Sequence, residues 1–132
     1  MTILVDASAL VAMATKEPEA HRLAALLDRH DERLFCPTGE WEATLAIARK
    51  RTAPLAEAQE ELRTLMGQLG LMPVPIGADE TDAALAAHAR YGKGSGHPAR
   101  LNMGDCFAYA CAKANAAELL YKGDDFAHTD LA

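Results

Sequence analysis

Asp6, Glu42, Asp105 and Asp124 are spread from one end of the chain to the other, yet each falls where a strand should end or a helix begin. Asp6 closes the apolar run Thr2-Ile3-Leu4-Val5, and Asp124 follows Leu119-Leu120-Tyr121 after a Lys-Gly pair. In an open parallel sheet, ligands collect beyond the carboxyl ends of the strands. Four negative charges gathered there repel one another unless protons or a divalent cation intervene. Oxygen donors of this kind suit magnesium or manganese. Each acid also has a plain structural explanation. Asp6 can cap the helix that follows it. Glu40 and Glu42 can complement the dipole of a helix's first turn. Asn102 and Asp105 have capping-box spacing, and Asp124 and Asp125 suit a turn after Gly123. Taken together, two at strand ends and two at helix starts, they can face one rim of a sheet.

The elements that would position them follow from periodicity. Thr2–Val5 is an uninterrupted apolar run, as in a strand covered on both faces. Ser8 is expected to cap a helix through residues 9–13. Glu17-Pro18-Glu19 opens a second helix, with Leu23, Leu26 and Leu27 on one face. Leu34-Phe35-Cys36 reads as a strand stopped by Pro37. Thr38 then caps a helix to about Arg51, with Trp41, Leu45 and Ala48 as its apolar stripe. Pro54 starts a helix that Gly70 ends. The segment Leu71–Ile76 reads as a strand that Pro73 and Pro75 shorten or confine to an edge. Asp79–Tyr91 reads as helix, followed by the glycine-rich loop Gly92–Gly96. A helix over Gly104–Asn115 presents Phe107, Ala110, Cys111 and Ala114 on one face, and Leu119–Tyr121 is the last strand. Helices alternating with short apolar strands predict an α/β fold, a central and mainly parallel β-sheet flanked by α-helices.

A chain of 132 residues, half hydrophobic and 24% charged, is expected to fold as one domain over 1–132. No leader pattern or bilayer-spanning run is visible, so the expected location is cytoplasmic, without a membrane partner. Cys36, Cys106 and Cys111 lack paired spacing and read as buried, reduced fillers rather than a disulfide or zinc framework. The net charge of −6 weighs against a nucleic-acid partner. Its distribution weighs the other way. From Arg90 to Arg100 the chain carries no acid, and Lys93 and Arg100 can pair with phosphates there while His97 or Tyr91 stacks on a base. The basic run Arg49-Lys50-Arg51 can grip phosphate too, or simply complement a helix end.

Several segments carry a resemblance that spans nearly the whole chain. Val-Asp-Ala-Ser-Ala-Leu at the start, Trp41-Glu42-Ala43, the stretch Tyr91 to Ala110 and the closing Leu-Leu-Tyr-Lys-Gly-Asp-Asp-Phe resemble PIN-domain ribonucleases, specifically the VapC toxins of bacterial toxin–antitoxin pairs. The resemblance implies a PIN-like fold and magnesium- or manganese-dependent endoribonuclease activity. It also implies neutralisation by a VapB-like antitoxin and assembly as a homodimer or toxin–antitoxin hetero-oligomer. The family's four acids fall on Asp6, Glu42, Asp105 and Asp124, with Asp6 and Asp105 as metal ligands. Glu42 is preferred to Glu40 because it directly precedes Ala43, and Asp125 remains the alternative to Asp124. Ser8 matches a small hydroxyl position that can bind water or a phosphate oxygen. Two other readings stand beside this one. A non-catalytic module could keep the fold without cleaving RNA. An aspartate-dependent phosphatase is disfavoured, because its usual second aspartate is replaced here by Ser8.

Overall fold

In the computed structural model, which describes residues 1–132, four parallel strands form the centre. They are β1 (Thr2–Val5), β2 (Glu32–Phe35), β3 (Met72–Pro73) and β4 (Glu118–Leu120), in the spatial order β3-β2-β1-β4. Val5 lies opposite Phe35 on one side and Leu120 on the other, so three strands finish in step at one rim. Successive side chains of a strand point to opposite faces. Leu4 accordingly enters one core with Leu34 and Leu119, while Ile3 and Val5 enter the other with Phe35 and Leu120. Both faces are covered, which is why β1 is apolar from Ile3 to Val5.

The helices are α1 (Ala7–Ala14), α2 (Ala20–Leu27), α3 (Pro37–Arg51), α4 (Leu55–Gln68), α5 (Ala78–Tyr91) and α6 (Met103–Ala114). The first four supply the core shared with Ile3 and Val5; α5 and α6 supply the one around Leu4. The chain leaves β1 toward β2 and β3, then returns through α5 and α6 to place β4 on the other flank of β1. The strand order therefore reverses between β1 and β4, the topological switch point where open α/β sheets form a crevice. No helix is long and apolar enough to cross a membrane.

Three expectations about elements are corrected. Asp6, not Ser8, caps α1, because the helix begins at Ala7, directly after Asp6, and the Ser8 amide donates to the Asp6 carboxylate. The buried stripe of α3 is Gly39, Ala43, Thr44, Ile47 and Ala48, whereas Trp41 is 63% exposed. Small residues at four-residue intervals let α3 pack closely, a stronger constraint than the size of Trp41. On α6, Ala114 is exposed and burial runs through Gly104–Cys106 and Ala108–Ala112. That helix is enclosed between α5, α3 and the sheet, so no single apolar face describes it. The shortened edge strand at Pro73 and the buried, free cysteines agree with the sequence reading. Cys111 Sγ lies 3.5 Å from Cys36 Sγ.

Candidate active site

Asp6 is the first residue beyond β1 and only 6% exposed. Its Oδ2 accepts from the Ser8 amide at 3.0 Å and from Ser8 Oγ at 2.6 Å. Ser8 Oγ in turn accepts from the Lys122 amide at 2.9 Å, which ties the segment after β4 to the start of α1 across the switch point. The single O–H of Ser8 is thereby committed to Asp6, and Ser8 braces the carboxylate rather than offering a donor to a phosphate.

Asp105 is the third residue of α6 and 7% exposed. Its amide donates to Asn102 Oδ1 at 2.8 Å and its Oδ2 accepts from the Asn102 amide at 3.1 Å, the reciprocal capping box anticipated from spacing. Glu42, in the second turn of α3, is half-buried, and its carboxylate occupies the space beside Gly104 where a Cβ would otherwise stand. Glycine at the second position of α6 is thus what admits Glu42 to the site. Glu40 is turned elsewhere, into an ion pair with Arg63 of α4 at 3.0 Å.

Capping alone would favour the ionised form of Asp6 and Asp105, since each accepts a backbone N–H bond. They behave in the opposite way. Burial pushes the Asp6 carboxyl above its usual range despite the Ser8 bonds, and the charge of Asp125 adds to the effect. Glu42 is also raised, by burial first and then by Asp6 and Asp125 among its neighbours. Asp105 is pushed up to about 7 by burial, against the Asn102 amide, with Asp6, Asp125 and Glu42 adding their charges. Neither Asp6 nor Asp105 has a cationic side chain paired with it. Asp125, rather than the Asp124 preferred from sequence, is the acid after β4 whose charge acts on all three others.

No three of these side chains converge closely enough to hold a metal ion as they stand. The donor set nonetheless has the chemistry of a hard-cation site: carboxylates only, two of them buried without a counter-charge.

The glycine-rich loop is closed at its neck by Lys93 N–H to Leu101 O at 3.0 Å and Leu101 N–H to Tyr91 O at 2.9 Å. Lys93 and Arg100 are exposed, and neither is in an ion pair. Tyr91 is buried, so it is unavailable to stack on a base. His97 is half-buried, packs edge-on against Tyr91 with centroids 4.8 Å apart, and accepts the Ala99 amide at Nδ1. Its ring organises the loop from within. Two features escaped the sequence reading: the room Gly104 provides and the Lys122–Ser8 tie. Only the first left a signal, a glycine inside a helix where alanine would cost less.

A parallel α/β sandwich with carboxylates drawn together beyond the ends of β1 and β4 is the arrangement of a PIN domain. The PIN domain family profile matches residues 3–131, and the chain belongs to that family. Within it the chain is similar to VapC proteins. It is 41% identical over 130 residues to Ribonuclease VapC30 of Mycobacterium tuberculosis, covering 98% of this chain and 96% of that one. It is 40% identical to a VapC ribonuclease of Rhizobium meliloti over 96% of this chain and 97% of the relative. Ribonuclease VapC42 of Mycobacterium tuberculosis is 38% identical, again over 98% of this chain and 96% of its own length.

Proposed function

We propose that the protein is a metal-dependent endoribonuclease toxin that cleaves RNA phosphodiester bonds in the cytoplasm and is held inactive by a VapB-like antitoxin. The observation that carries the reading is the group of mutually repelling carboxylates at the switch point, two of them buried without a cation. Ribonuclease is also what the named relatives are. Asp6 and Asp105 would hold magnesium or manganese, with Glu42 and Asp125 completing the set; Asp125 takes the fourth place ahead of Asp124 because of its charge coupling to the other three. Such an ion supplies Lewis-acid stabilisation of charge on the phosphate and makes hydroxide available near neutral pH. Ser8 orients Asp6, and Glu42 is suited to accept a proton from the attacking water. Lys93 and Arg100 draw the RNA backbone toward the acids. Attack by water leaves a 5′-phosphate and a 3′-hydroxyl, whereas attack by the 2′-hydroxyl would leave a cyclic phosphate. Exposed Trp41, Leu55, Leu85 and Met103 support assembly with a second copy or with the antitoxin.

The test is cleavage of total cellular RNA with the product ends mapped. Activity is expected only with magnesium or manganese, and Asp6→Asn and Asp105→Asn should abolish it while the circular dichroism spectrum stays unchanged. Full cleavage by both variants, or cleavage undiminished in excess EDTA, would sink the mechanism.

A further inference from the structure

The basic run at the end of α3 is not three equivalent charges. Lys50 is held by Glu17 at 3.0 Å, and Glu17 also takes Lys122. Arg51 is held by Glu61 at 2.8 Å and donates to the Ala14 carbonyl at 2.9 Å. Arg49 alone is in no ion pair, and it is exposed. It lines a cleft of about 330 Å³ together with Ser8, Glu42, Ala46 and the Glu17–Lys122 ion pair. Glu42, Ala46 and Arg49 follow at intervals of four and three residues, so they form one stripe on α3. Ala46 leaves the cleft floor low between the acid and the cation. Seven residues of helix span about 10 Å, which sets Arg49 too far along to share the phosphate held at the acids.

We infer that this cleft is a subsite for a flanking RNA phosphate, gripped by the Arg49 guanidinium, and that it fixes the register in which the strand crosses the carboxylates. A planar guanidinium with no carboxylate to satisfy it is the group best shaped for bidentate contact with phosphate oxygens. Lys50 and Lys122, paired with Glu17 and Glu19, contribute no comparable free charge. The inference rests on the proposal that the substrate is RNA, and it extends that proposal from the reacting phosphate to its neighbour. With Lys93 beside the start of α6 and Arg49 at the end of α3, the acids lie between two cationic flanks.

The experiment measures binding of a fluorescein-labelled RNA hairpin in EDTA across a salt series. Arg49→Gln is expected to weaken binding several-fold and to lower the slope of log affinity against log salt by about 0.7 to 0.9, the loss of one phosphate contact. Arg49→Lys should recover the slope, and Lys50→Gln should leave it unaltered. An unchanged isotherm for Arg49→Gln, or no hairpin binding by the unaltered protein, overturns the subsite. If binding depends on Arg49 but the unaltered protein cuts no RNA in magnesium, the nuclease reading fails and the phosphate subsite stands.

Discussion

The Asn102 amide donates to the Asp105 carboxylate, yet burial and the charges of Asp6, Asp125 and Glu42 hold that carboxyl up at about 7. An aspartate in the unfolded chain titrates near about 4. Between these values the folded protein binds more protons than the unfolded one, so stability falls as pH rises. The contribution of Asp105 is complete below about pH 4 and lost by the time pH passes about 7. Asp105→Asn, which keeps an oxygen for the Asn102 amide and removes the charge, should therefore melt higher than the unaltered protein at pH 8, with the difference closing toward pH 4. Melting curves at the two pH values check this; a variant that melts lower at pH 8 contradicts it. Added magnesium should raise the melting temperature of the unaltered protein at pH 8 more than that of the variant, since an ion bound only by the folded state adds stability.

Helices α3 and α6 meet where Glu42 lies against Gly104. A methyl group at residue 104 would strike the end of the Glu42 side chain, which is free to rotate away, so the collision costs position rather than folding. Alanine also suits a helix better than glycine by about 1 kcal/mol. Gly104→Ala is accordingly expected to melt at the same temperature or higher and to cleave RNA markedly more slowly, because Glu42 is displaced. Paired melting and cleavage assays decide it; undiminished cleavage would remove Glu42 from the site. The element boundaries were largely legible, since Pro37, Pro54 and Gly70 punctuate the chain at or beside observed helix ends. The face of α3 was not. A tryptophan attracts the eye as core, but helix packing here selects the small residues Gly39, Ala43 and Ala48, and Trp41 stays in solvent.

Across the whole molecule, a chain of net charge −6 keeps exposed cations outside any ion pair on the loop before α6, Lys93 and Arg100, and at the end of α3, Arg49. An antitoxin that buries the pocket would insert its own cation among the pocket's acids, the buried form of charge pairing. Co-expression with the product of the neighbouring reading frame should give a complex that purifies intact, restores growth and shows no RNA cleavage; separate elution without rescue would count against that partner. The α/β class and the PIN resemblance could be read from residue types and local order, because strand runs, helix caps and short motifs are written in neighbouring positions. Folding supplied what depends on residues far apart in the chain. It brought the charge of Asp125 to bear on the other acids, turned Glu40 away to Arg63, buried Tyr91, and left Arg49 as the unpaired member of its run. Those outcomes rest on burial and on which opposite charge lies within reach, and both are properties of packed space rather than of spacing along the chain.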